Sequence, residues 1–157
     1  MDEIQFCNDL VLDKDSISYV IRLFPINVFS LDQREQEIFL KGLEALLRSI
    51  KEDSIKISIK IRRLNKSDVE GHFENISKGA CQRKISEYID ELMSFINLNH
   101  IPFKEYNLIV SEKGTGPKNI MILHRRVENL KRHLNALGIG TNILRGNKLK
   151  DMITDYI

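Results

Sequence analysis

Residues 55–62 alternate without exception, with isoleucine at 55, 57, 59 and 61 and Lys56, Ser58, Lys60 and Arg62 between them. Successive side chains of an extended chain point to opposite faces, so this run is a β-strand with one apolar and one basic side. The ordinary expectation is an isoleucine side in the core and a cationic side in water. Any fold open to this chain must give that strand a neighbour to pair with.

The best neighbour lies just upstream. Ile17, Tyr19, Ile21 and Leu23 alternate with Ser18, Val20, Arg22 and Phe24, which reads as a mostly buried strand ended by Pro25 and Asn27. Ser30 and Gln33 have the spacing of a capping box, in which two side chains satisfy backbone donors left open at a helix start. Ile38, Leu43, Leu46, Leu47 and Ile50 then follow helical spacing to about residue 50. Gly42 costs up to about 1 kcal/mol in a helix interior, so it predicts close approach of another element. A helix between two such strands predicts a right-handed crossover with the strands parallel, adjacent or with one strand between them.

Downstream, Ser67 and Glu70 repeat the capping spacing and predict a short helix carrying Val69, Phe73 and Ile76. Gly79 separates it from a helix over residues 80–97, with Ile85, Tyr88, Ile89, Leu92, Met93 and Ile96 on one side. Residues 106–111 form a third strand after the break at Pro102. The clearest amphipathic helix begins near Pro117, where Ile120, Leu123, Val127, Leu130, Leu134 and Leu137 repeat in steps of three and four. Gly138 is placed to end it, residues 141–144 suit a short fourth strand, and residues 148–156 a last helix.

Residues 1–16 show no sustained period and carry Asp2, Glu3, Asp9, Asp13 and Asp15, so they are expected as an acidic flexible arm. The expected fold is α+β: a single domain over residues 17–157, with a roughly four-stranded sheet and helices mainly on one face, close to a ferredoxin-like open sandwich. A chain of 157 residues suits this. It buries roughly 68–70% of its unfolded surface, enough for a core without disulfides or metals.

Motifs for chemistry are sparse. Cys7 and Cys81 are too few for a disulfide framework or a zinc site, and fit a reducing compartment. His72, His100, His124 and His133 lack the spacing that puts two ligands on one helix face. The loop Lys113–Asn119 lies between a strand and a helix, where backbone amides can bind an anion. It lacks the GxxxxGK[ST] spacing, and Pro117 removes a donor, so an ordinary turn is the expected role. No serine elbow and no cysteine–histidine context is present. The reading is that of a non-enzyme, with no catalytic, cofactor-binding or metal-ligating residue and no cofactor.

Charge is what remains. The net charge is only +2, but residues 113–150 hold a dense set of Lys and Arg against Glu128 alone, which favours an anionic partner. Two cationic rows are candidate partner or nucleic-acid faces: Lys56, Lys60 and Arg62 continued by Arg63, and Lys118, Arg125 and Arg132 across from the apolar stripe of their helix. Few aromatic side chains stand ready to stack bases, so nucleic acid is possible but not favoured. No window reaches the roughly 18 apolar residues of a membrane span.

The order of elements carries a resemblance. A strand, a P-x-N turn, a helix ending LEALLRSI, a lysine-rich isoleucine strand, then YNLIVS and a helix ending LNALGIGTNILRGNKLKDMI resemble the amino-terminal domain of the large ATPases that energise conjugation and type IV secretion. The resemblance implies a noncatalytic docking module of a conjugative DNA-transfer apparatus, with self-association, protein partners in the secretion channel, and a cytoplasmic location at the inner face of the cell membrane. It carries over no catalytic residue, because the Walker motifs of that family belong to its motor domain. The alternative reading is a small nucleic-acid-binding protein of a mobile genetic element.

Overall fold

The computed structural model describes residues 4–50, 54–64, 66, 69–70 and 82–154. Its elements are β1 (Gln5–Cys7), β2 (Leu10–Asp13), β3 (Ser16–Phe24), a 3-10 turn (Val28–Ser30), α1 (Gln33–Ser49), β4 (Ile55–Arg63), α2 (Gln82–Leu98), β5 (Pro102–Lys113), α3 (Pro117–Ala136), β6 (Gly140–Ile143) and α4 (Gly146–Thr154). The expected start of a short helix at Ser67, and the separator Gly79, lie outside the described residues.

The fold is α+β, with a six-stranded antiparallel sheet in the order β1-β2-β3-β5-β4 and β6 also paired to β3. Strand β3 pairs with β5 along Ser16–Leu23. Its other edge is shared: β2 takes Ser16–Tyr19 and β6 takes Ile21–Phe24. The crossover through α1 skips one place, so β5 lies between β3 and β4.

The expected four-stranded sheet is corrected to six strands. Residues 1–16 were to be a flexible arm, yet Gln5–Cys7 and Leu10–Asp13 form a hairpin that extends the sheet beyond four strands. Asn8 turns it with a φ of 58°, a conformation that asparagine tolerates, and Leu10 and Val11 are buried. Of the helices in this part of the chain, α1 and α3 share one face, and α4 covers the second, bringing Leu149, Met152 and Ile153 against Val11, Val20 and Ile109.

The chain divides into two compact units, Met1–Ile59 with Tyr106–Ile157, and Lys60–Glu105; β4 and β5 each run from one into the other. In the first, Ile17, Tyr19, Ile21, Leu108 and Val110 meet Leu46 of α1 and Leu123, Val127, Leu130 and Leu134 of α3. The apolar stripe predicted for α3 is thus its buried side. The α1 stripe is not: Leu46 is buried, whereas Ile38 and Leu47 are 61% and 58% exposed.

Local signals explain the ends of the helices. Asp32 and Glu35, not Ser30 and Gln33, form the capping box of α1: Asp32 Oδ1 accepts from the Glu35 amide at 2.8 Å and Glu35 Oε2 from the Asp32 amide at 3.0 Å. Ser30 instead closes the preceding 3-10 turn, donating from Oγ to the Asn27 carbonyl at 2.7 Å. At the end of α3, Gly138 takes a φ of 79°, while its amide bonds Asn135 O and that of Ile139 bonds Leu134 O, a Schellman motif. Gly42 has the close neighbour that was expected: a Cβ at this position would run into the Leu137 side chain.

The second unit holds α2 with the outer parts of β4 and β5. Val69 and Ile89 are buried in it, and Lys66 Nζ meets Asp90 Oδ1 at 2.6 Å.

Candidate functional site

Strand β4 ends the sheet, so among the described residues one of its edges has no strand beside it. The alternation expected for it is present, but the coverage of its two sides is the reverse of the expectation. Ile55 packs against the α1–α3 core, and beyond it the row opens to solvent: Ile57, Ile59 and Ile61 are 63%, 57% and 63% exposed. On the other side Ser58 is buried, Lys60 is half-buried and Arg62 has 24% of its side chain exposed.

The cause is a carboxylate distant in sequence. Glu105 on β5 is 8% exposed, and its Oε1 accepts from Arg62 Nε at 2.8 Å and lies 2.7 Å from Nη2. The guanidinium also stands 4.9 Å over the Phe103 ring. A buried carboxylate requires a cation at hydrogen-bond distance, and this one turns the even-numbered side of β4 inward at Arg62. Arg62 is therefore a structural cation.

The expected continuation of the row by Arg63 also fails. Arg63 is exposed but alternates onto the isoleucine side, next after Ile61. Lys56 is exposed on the side away from the α3 core, because it alternates with Ile55. The second row keeps its expected setting: Lys118, Arg125 and Arg132 are exposed on α3, opposite its buried Leu123, Val127, Leu130 and Leu134. Arg125 also rims a cavity of about 470 Å³ floored by Leu46, Ile50, Ile55 and Leu130.

Backbone amides at both ends of the Lys113–Asn119 loop are bonded within the protein. Gly114, at a φ of 87°, donates its amide to Asp15 O at 2.7 Å, and the Asn119 and Ile120 amides both return to Gly116 O. Pro117 occupies the first turn of α3. This is the wiring of a strand-to-helix turn.

Two ionisable groups of the first unit are displaced from their ordinary range. Burial, helped by the nearby Asp9 carboxylate, raises the Tyr19 phenol. The hydrogen bond from Lys131 Nζ, at 2.9 Å, lowers the Glu128 carboxyl. The centroid of the Tyr19 ring lies 6.3 Å from that of His124, and among the described residues no three His, Cys, Asp or Glu gather as metal ligands. No described helix is long and apolar enough to cross a membrane. What the surface offers is contact: an uncovered isoleucine row on a terminal strand and a cationic row on α3. In comparisons with known proteins, no family model, curated protein or solved structure matches this chain.

Proposed function

We propose that this chain is a noncatalytic docking module, and that it serves a conjugative DNA-transfer, or type IV secretion, apparatus in the position of the amino-terminal domain of its motor ATPase. The observation that carries the docking reading is the exposure of Ile57, Ile59 and Ile61 along one side of a terminal strand. Apolar side chains in a contiguous row on an open sheet edge favour association, and native proteins usually blunt such edges. The order β6–β3–β5–β4 supports reading those strands as a ferredoxin-like open sandwich, to which the β1–β2 hairpin and α4 are additions. The machine itself rests on the resemblance in the order of elements. Its partners are then the protein components of the channel at the inner face of the membrane.

The test is co-purification of the full chain with the co-expressed channel proteins, comparing wild type with an Ile57→Thr/Ile59→Thr variant. Threonine keeps a good strand former at two solvent-exposed positions, so the fold is retained. Loss of channel proteins from the variant is the expected result; equal retention by both removes β4 from the function.

The second reading, nucleic-acid binding, is favoured by one observation, the wet row Lys118, Arg125 and Arg132 on α3. It now rests on that helix, since Arg62 is held by Glu105. It requires DNA or RNA affinity that falls steeply with salt and is lost in an Arg125→Ala/Arg132→Ala variant.

A further inference from the structure

We propose that the cavity between α1, α3 and the start of β4 binds an aliphatic monocarboxylate, a function separate from docking and not dependent on it. All of its described lining belongs to the first unit. Its volume of about 470 Å³ falls within the roughly 300–1,000 Å³ of small-molecule sites, which are mostly apolar with a few polar groups that fix orientation.

The body of the ligand follows from the walls. Leu46, Ile50, Ile55, Ile122 and Leu130 supply branched aliphatic surface, and among the described residues no Phe or Tyr lines the cavity. A saturated chain buries its methylenes against such walls, whereas a flat ring finds no aromatic partner.

The charge of the head follows from the polar groups of the lining. Arg126 is compensated: its Nη1 lies 2.8 Å from Glu112 Oε2 and donates to Ser111 O at 3.3 Å. Ser49 Oγ donates to Leu46 O at 2.7 Å, His133 Nδ1 donates to Asn129 O at 2.8 Å, and Ser54 is engaged as well. Arg125 makes no hydrogen bond or ion pair with a described residue, and no described Asp or Glu lines the cavity. One uncompensated guanidinium at the edge of an apolar cavity calls for one negative charge, and a carboxylate matches its planar fork. Asn129 lines the cavity one turn further along α3, on the side of Arg125, where its amide can donate to the same carboxylate.

The experiment titrates the full chain, labelled with carbon-13 in its Ile and Leu methyl groups, with decanoate, decanol and decyltrimethylammonium below their micellar concentrations. Methyl shifts and urea unfolding are the readouts. Decanoate is expected to give saturable shifts at Leu46, Ile50, Ile55 and Leu130 and to raise the urea midpoint, with decanol and the cation binding at least about tenfold more weakly. Affinity rises up to about fourfold per methylene from hexanoate to decanoate. Arg125→Gln, at an exposed position, lowers decanoate affinity about tenfold, to the level of decanol. Arg48→Gln leaves it unchanged, because that guanidinium pairs with Glu44 and does not line the cavity. Absence of saturable decanoate binding, equal binding of the three probes, equal losses in the two variants or indifference to chain length overturns the proposal. So do shifts confined to methyls outside the cavity, or a urea midpoint lowered by decanoate. Sedimentation with anionic phospholipid vesicles without a response to free decanoate makes a membrane surface the source of the anion and overturns it as well.

Discussion

Replacing Arg62 with alanine separates a structural cation from a ligand-binding one. In the folded chain its guanidinium makes two short contacts to one oxygen of Glu105, at 2.8 and 2.7 Å, with the carboxylate side chain 8% exposed. Removing one partner of a buried ion pair typically costs about 3–5 kcal/mol, because the other charge is left in a poorly solvating site. Here the arginine side chain is 24% exposed, so water reaches the vacated space and the lower part of that range applies. Loss of the contact with Phe103 adds about 0.5–1 kcal/mol, and the expected destabilisation is about 3.5–4.5 kcal/mol. Lys56→Ala, on the same strand but exposed, is expected within about 0.5 kcal/mol of wild type.

The assay is urea unfolding followed by circular dichroism, with stability from linear extrapolation. An Arg62→Met/Glu105→Leu double variant is expected to be more stable than Arg62→Ala, since it removes both charges together. If Arg62→Ala behaves like Lys56→Ala, the guanidinium is a solvated cation and Glu105 does not turn this side of β4 inward. Moderate salt gives a second check, because a shielded pair responds to screening less than a solvent-exposed pair does.

The remaining expectations concern the first unit. Leu123→Ala, at a fully buried position of α3, costs about 3–5 kcal/mol in the same unfolding assay. Asp32→Ala costs about 1 kcal/mol through loss of the α1 cap, whereas Ser30→Ala, outside that cap, stays within about 0.5 kcal/mol; equal effects would place the helix start elsewhere. Because burial raises the Tyr19 phenol above its ordinary value of 10.0, the fold favours its neutral form. That contribution is complete below the ordinary value and is lost as pH rises through the folded one. Alkaline unfolding therefore moves to higher pH in Tyr19→Phe, and ultraviolet titration of the variant lacks a late-ionising phenol; an unchanged titration would contradict the assignment.

Much of the architecture was legible because its signals are local. The stripe on α3, the alternation of β3 and β4, and the turn at Gly138 each depend on residues within a few positions of one another, and the structure has them as expected. The β1–β2 hairpin was also encoded, in Asn8–Asp9 and Lys14–Asp15, but strands this short have too few repeats to show a period. The capping box lies two residues beyond the Ser30–Gln33 spacing, because Ser30 and Asp32 are both competent caps and only the path of the 3-10 turn chooses between them.

The candidate surface was legible only in part. The sequence by itself determined that β4 has an isoleucine side and a cationic side, since alternation is a property of the extended backbone. It did not determine which side would be covered. That depends on which part of the row reaches the α1–α3 core, as Ile55 does, and on Glu105, a carboxylate distant in sequence that draws Arg62 inward. The tertiary structure decided the matter for a physical reason: a carboxylate enclosed as Glu105 is needs a cation at hydrogen-bond distance, and the side of β4 that carries Arg62 supplies it.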